Sequence, residues 1–267
     1  MQVDILNKDG KQIGKEKLPG QFEEEVRRDL IQRAVLAIES IRRKAYGAEE
    51  DAGMRQSGKL SRRRRNYKGS YGKGISRVPR KTLSHSGSSF YWVGAVAPGT
   101  VGGRRAHPPK SEKIWEQKIN KKERKKAIRS ALSAVVRPEL VKERGHMLPN
   151  IYPFLMSDEI EGISKTKDVL KVLKTIGLDK EMERNSKTRI RAGRGKSRGR
   201  RLVRNRGILI VVSKECPLIK AAENLPLEVK RVDEINAEDL APGGLPGRLT
   251  IFTQGAVREI ENRKLFK

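Results

Sequence analysis

The sequence predicts an α/β fold: three layers, a mainly parallel sheet with helices on both faces, and a long extended internal loop. Three observations lead there. Strand-like apolar runs alternate along the chain with stripes of helical period, which is the pattern of a layered α/β domain. Residues 208–212, Ile-Leu-Ile-Val-Val, are consecutive apolar and mostly β-branched residues, as expected of a strand covered on both faces. Residues 52–111 show neither period and contain no acidic residue.

Val3, Ile5 and Leu6 precede the turn signal Asn7-Lys8-Asp9-Gly10, and residues 12–17 complete a short hairpin. A helix should follow, with Glu23, Glu24 and Glu25 at its N-terminus, Val26, Leu30, Ala34, Ile38 and Ile41 as its apolar stripe, and Arg42, Arg43 and Lys44 at its C-terminus. Residues 120–136 predict a second helix. It begins with a capping box of Asn120 and Glu123, buries Ala127, Ile128, Ala131, Leu132 and Val135, and leaves Lys122, Lys125, Lys126 and Arg129 on a basic face. Phe154-Leu155-Met156 reads as a strand and 164–177 as a helix. After the 208–212 strand come a short helix at 218–223, strands at 227–232 and 249–253, and a closing helix from Gln254.

Charge gives the domain organisation. The 267 residues carry 60 Lys and Arg against 32 Asp and Glu, a net charge of +28, with 36% hydrophobic residues, so the core covers part of the chain only. Residues 1–51 hold 10 basic and 11 acidic side chains and 207–267 hold 9 of each, so all the excess lies between. We therefore expect a globular domain formed by 1–51 and 112–267, an extended basic loop over 52–111, and a second basic segment over 184–206. A charge of this size needs a polyanion, with nucleic acid the default. No run approaches 18 apolar residues and the first 20 lack the apolar stretch of a signal peptide, so neither a transmembrane nor a secreted protein is expected.

The candidate phosphate-binding residues follow the acid-free stretches. In the loop they are Arg62, Arg63, Arg64, Arg65, Lys68, Lys73, Arg77, Arg80, Lys81, Arg104, Arg105 and Lys110. Lys122 and Lys126 add the basic helix face, and Arg191, Arg194, Lys196, Arg198, Arg200, Arg201, Arg204 and Arg206 the second segment. Ten glycines and four prolines make 52–111 one long loop, ordered by a partner. Five of the twelve aromatic residues lie in it. Tyr67, Tyr71 and Trp92 are candidates for stacking on unpaired bases, while Phe90, Tyr91, Trp92 and Val93 equally suit a small apolar cluster that pins the loop on itself.

Little in the sequence suits catalysis. Gly195-Lys196-Ser197 imitates the end of a phosphate-binding P-loop, but Ile190 stands where that motif needs its first glycine. Cys216 reads as a small core residue, and His146 as a structural or phosphate-contacting histidine. One cysteine and three scattered histidines form no metal set, so no metal and no cofactor are expected. The alternatives carried are an RNA-modifying enzyme such as a methyltransferase and a DNA-compacting protein.

Over essentially its full length the chain resembles the large-subunit ribosomal protein four family, in its archaeal and eukaryotic branch. The resemblance rests on Gly102-Gly103-Arg104-Arg105-Ala106-His107-Pro108-Pro109, on residues 120–124 with Ala127, Ser130, Ala131 and Leu132, on Arg144-Gly145-His146, and on 191–201. Val135 and Val136 depart from the family's usual small residues there. The resemblance implies a non-enzymatic structural constituent of the cytoplasmic ribosome, with the globular domain outside the large subunit and the loop threading into ribosomal RNA. It further implies a loop tip near 68–80 at the wall of the peptide exit tunnel, next to the nascent peptide and neighbouring ribosomal proteins.

Overall fold

The computed structural model describes residues 1–267, which form two compact units: Met1–Arg42 with Glu116–Lys267, and Arg43–Trp115. In chain order the strands are β1 (Gln2–Leu6), β2 (Gln12–Lys17), β3 (Arg80–Ser86), β4 (Ser89–Gly94), β5 (Phe154–Met156), β6 (Thr188–Ile190), β7 (Leu202–Arg204), β8 (Leu209–Val212), β9 (Glu228–Arg231) and β10 (Thr250–Thr253). The helices are α1 (Arg28–Arg42), α2 (Lys121–Val135), α3 (Pro138–Glu143), α4 (Thr166–Thr175), α5 (Asp179–Ser186), α6 (Pro217–Ala222), α7 (Ala237–Leu240) and α8 (Gln254–Asn262).

The first unit is built on a six-stranded sheet of order β2-β1-β5-β10-β8-β9, parallel throughout except for β2 at one edge. Its alternating side chains feed two cores, as the expectation of helices on both faces requires. Leu155, Leu209, Val211 and Phe252 meet α1, α2, α7 and α8 on one side, with Phe22 edge-on to Phe252 at 5.3 Å. Phe154, Met156, Ile208, Ile210, Val212 and Ile251 meet α4 and α6 on the other. All four residues of β8 are buried, which is why the sequence there shows no alternation.

Several local expectations are corrected. Helix α1 begins at Arg28, after the three glutamates. The Arg27 N–H donates to Ser130 Oγ at 2.6 Å and that hydroxyl donates to the Glu25 carbonyl at 2.9 Å, which ties the approach to α2. Glu24 is turned toward Arg129, 2.8 Å away, and Asp29 is the acid left in the first turn. Of the expected stripe Ala34 is buried and Leu30 and Ile38 pack against the core, joined by Ile31 and Val35, while Ile41 is exposed. The capping box on α2 does not form: the Asn120 side chain makes no cap bond, and Glu123 pairs with Arg33 of α1 at 3.1 Å. A reciprocal capping box does form at α7, between Asn236 and Asp239. Helices α3, α5 and α7, at six, eight and four residues, are too short to show a period in the sequence.

The second unit also corrects the sequence reading, because 52–111 is not one loop. Strands β3 and β4 pair antiparallel from Arg80↔Gly94 to Ser86↔Ser89, closed by a turn at Gly87. The flanking limbs are tied together by Ala48 N–H to the Pro109 carbonyl at 2.9 Å, Lys59 N–H to Arg80 O at 3.1 Å and Ala95 N–H to Pro79 O at 2.8 Å. Where they cross, Gly53 has φ +80°, and a Cβ there would lie 2.6 Å from Arg104 Cα.

Gly53→Ala should therefore force the limbs apart at a cost of about 1–3 kcal/mol. Limited proteolysis read by mass spectrometry should show faster cutting within 43–115 while the thermal midpoint of the first unit stays unchanged.

Candidate nucleic-acid interface

In the first unit the second basic segment is a loop over 191–201 closed by a short hairpin. Strands β6 and β7 pair antiparallel, Ile190↔Leu202, and Arg191, Arg194, Lys196, Arg198, Arg200 and Arg201 stand exposed at the tip between them. Arg191 helps to close the tip, its N–H donating to Arg201 O at 2.8 Å and its Nε to Arg200 O at 2.9 Å.

The hairpin is held at its base by a buried charge network on α5. Glu181 is fully buried and receives hydrogen bonds from Arg184 Nη2 at 2.6 Å, Arg184 Nε at 2.8 Å, the Met147 N–H at 3.0 Å and Asn185 Nδ2 at 3.3 Å. His146 Nδ1 lies 2.7 Å from the same carboxylate. Arg184 in turn donates to the Arg206 carbonyl at 3.1 Å, and Asn205 Nδ2 to the Arg184 carbonyl at 3.4 Å, which fixes where the hairpin leaves the sheet. Burial alone would raise the Glu181 pKa, but the bonds from Arg184, His146 and Met147 outweigh it and hold the group at about 2. Burial lowers the His146 pKa against the pull of Glu181, so the imidazole is neutral near pH 7.

Two of the predicted cations are drawn into the fold. Lys126 lies 3.8 Å from Glu24, and Arg206 pairs with Glu228, which also holds the buried Arg248 at 2.8 Å. Arg204 and Lys122 are exposed without an ion pair.

In the second unit Arg62, Arg63, Arg64, Arg65, Lys73, Arg77, Arg104, Arg105 and Lys110 are exposed, Lys68, Arg80 and Lys81 half-buried, and none has a carboxylate partner. The only ion pair of this unit joins Arg55 to Glu49. Of the expected apolar cluster only Phe90 and Trp92 pack, stacked at 5.0 Å, with Tyr67 edge-on to Phe90 at 5.0 Å and Lys73 5.6 Å from the Trp92 ring centre, while Tyr91 and Val93 on the other face of β4 are exposed. Tyr71 packs under Arg77 at 4.7 Å. Tyr46 and Trp115, which the sequence reading passed over, stack on each other at 5.7 Å near the two ends of this unit.

A catalytic crevice is not assembled. Open parallel sheets bind nucleotides beyond the carboxyl ends of their strands. Here Glu161 fills that place, accepting from Ser213 N–H at 2.9 Å, Ser213 Oγ at 2.8 Å and Thr253 Oγ1 at 2.7 Å. Asp158 caps the amino end of α8 through Gly255 N–H at 2.6 Å. Two carboxylates stand where a phosphate would need donors. No group of His, Cys, Asp or Glu is placed to hold a metal ion, and no helix is long and apolar enough to cross a membrane.

Fold and surface together define a cation-presenting α/β structural protein. The chain belongs to the ribosomal protein L4/L1 family, whose sequence model matches residues 17–263. The large ribosomal subunit protein uL4 of Nanoarchaeum equitans is 46% identical over 268 residues, 100% of both chains. Its counterpart in Archaeoglobus fulgidus is 43% identical over 96% of this chain and 97% of the relative, and that of Halobacterium salinarum is 42% identical over 98% and 100%. The family is one of ribosomal structural proteins, and the chain is not an enzyme.

The Glu181 network makes stability depend on pH with a definite sign. The carboxyl is held at about 2 against an ordinary 4.5, so its contribution is complete above 4.5 and is lost as pH falls from there toward 2. His146, depressed below 6.5, removes further stability as pH falls below that value. Glu181→Gln should destabilise the first unit at pH 7 by about 3 kcal/mol and flatten the acid limb of its unfolding curve. Thermal or urea unfolding between pH 7 and pH 2.5 reads both effects.

Proposed function

We propose that the chain is a structural constituent of the large ribosomal subunit that binds ribosomal RNA by neutralising phosphates, in the cytoplasmic ribosome. The observation that carries this reading is the set of exposed Lys and Arg side chains without carboxylate partners, concentrated on the β6–β7 hairpin and the second unit. Cations without internal partners repel one another and gain most from a polyanion that releases its counterions. Family membership and the names of the archaeal relatives support the ribosome as the place where that polyanion is met.

The finer assignment treats the chain as three segments: a globular body over 1–51 and 112–267, an inserted basic arm over 52–111, and a second basic segment over 184–206. The arm penetrates ribosomal RNA, with Arg62, Arg63, Arg64, Arg65, Arg104 and Arg105 on RNA. The stretch 68–80 faces the wall of the peptide exit tunnel, next to the nascent peptide and neighbouring ribosomal proteins. Its support is the family resemblance together with exposed Lys73 and Arg77 and the absence of any acid between 52 and 111.

Binding of the full chain to large-subunit RNA should weaken steeply with salt, log K falling by roughly 0.7–0.9 per neutralised phosphate for each tenfold rise. Replacing Arg62, Arg63, Arg64 and Arg65 with Gln should reduce that slope by about 3. A filter-binding titration from 50 to 400 mM salt measures it; a flat response would rule out the phosphate mechanism.

A further inference from the structure

At the two ends of the second unit, a cavity of about 680 Å³ is lined by Tyr46, Arg105, Lys110, Glu112, Lys113 and Trp115 among others. That volume lies within the range of small-ligand sites. Tyr46 and Trp115 form a near-parallel stack, 5.7 Å between ring centres and 13° between planes. The Arg43 guanidinium lies 3.6 Å from the Trp115 ring centre and Lys113 Nζ 4.4 Å from it, so cations already occupy the tryptophan's surroundings. Tyr46 remains 52% exposed. Around this shelf stand Arg43, Arg105, Lys110 and Lys113, none of them ion-paired, against the single acid Glu112. Trp115 Nε1 is covered and has no acceptor among the protein's own groups.

We infer that this cavity is a binding site for one unpaired RNA nucleotide, whose base stacks on Tyr46 to extend the Trp115–Tyr46 column and whose phosphate is held by Arg105 and Lys110. The inference rests on the RNA-binding reading above and narrows it to a particular pocket and an unstacked base. Phosphate contacts alone would not need an aromatic shelf, and the bases inside a duplex are covered by their neighbours and offer it no free face. An aromatic surface flanked by cations is the arrangement that holds single-stranded nucleic acid with little dependence on sequence. An acidic peptide would satisfy the cations and leave the shelf unused. The candidates first read from sequence are less suited, because Trp92 is already stacked on Phe90 and Tyr71 already lies against Arg77.

The test uses the full chain with Trp92→Phe, so that Trp115 is the remaining tryptophan and reports the pocket by fluorescence. The probes are a 12-nucleotide oligo(A), a blunt RNA duplex of equal phosphate number, and a 12-residue poly-glutamate peptide. Oligo(A) should quench Trp115 and should bind about 10-fold or more weakly after Tyr46→Ala, whereas Tyr46→Phe should retain binding. Duplex binding should change by less than 2-fold in either variant. Tyr46→Leu keeps apolar bulk without an aromatic face, and its loss of oligo(A) binding alongside unchanged duplex binding separates stacking from misfolding.

Oligo(A) binding that is unchanged by Tyr46→Ala and Tyr46→Leu would overturn the pocket and leave the RNA reading intact, as would poly-glutamate binding more tightly than oligo(A). Failure of the unsubstituted chain to bind either RNA would overturn the RNA reading itself, and this site with it.

Discussion

The structure depends on where the counter-charges are spent. Nearly every ion pair of the protein lies in the first unit, where carboxylates are interleaved with cations: Glu24 with Arg129, Glu123 with Arg33, Glu238 with Arg42, Glu16 with Arg258 and Asp239 with Lys230. The second unit has one pair, Arg55 with Glu49. Surface pairs of this kind contribute little stability individually. Their importance here is distribution, since most acids lie in the first unit and residues 52–111 have none. The net charge of +28 is therefore a directed charge.

Inside the first unit the same distribution extends to the buried cations, of which Arg248 and Arg184 hold the exit of the second basic hairpin. Arg248, almost wholly buried, donates to the carbonyls of Gly207 and Asp239 and pairs with Glu228. Arg144 has no carboxylate; it is held by the carbonyls of Pro242 and Leu245, and burial together with Arg248 and Arg184 pushes its pKa down to about 10. Glu181 is the anion for Arg184 and His146 at the base of the hairpin. Burying charge is costly unless it is paired and hydrogen-bonded, so removing one member disturbs the route by which 184–206 leaves the sheet. The exposed arginines at the tip thus stand on a hydrogen-bonded base.

Much of the scaffold was legible in the sequence because its signals are periodic. The β8 run, the α2 stripe of Ala127, Ile128, Ala131, Leu132 and Val135, and the N-terminal hairpin all reflect burial on a repeating geometry. What could not be read depends on distant partners. Glu123 could cap α2 locally or pair with Arg33 across to α1, and only the packing of the two helices decides. The three glutamates before α1 look like a helix start, yet Ser130 ties the chain down before the helix can begin. The β3–β4 hairpin was hidden because β3 is mostly polar and β4, Ser-Phe-Tyr-Trp-Val-Gly, carries apolar residues on both faces, so neither strand alternates. Tyr46 and Trp115 were missed because they fall just outside the acid-free stretch, and their pairing spans nearly seventy residues of chain that local spacing cannot bridge.

The claim at the centre of this account is that the location of the charge, and not its total, determines the partner. Its most direct measurement is co-sedimentation of two full-length variants with large ribosomal subunits stripped of this protein, across a salt gradient. One variant replaces Arg62, Arg63, Arg64, Arg65, Arg198 and Arg200 with Gln; the other makes six such replacements at Lys8, Lys11, Lys167, Lys171, Lys174 and Lys220 of the first unit. The first should dissociate at much lower salt than the unsubstituted chain, while the second should follow it closely. Equal losses from the two would show that binding tracks net charge alone and would contradict the account.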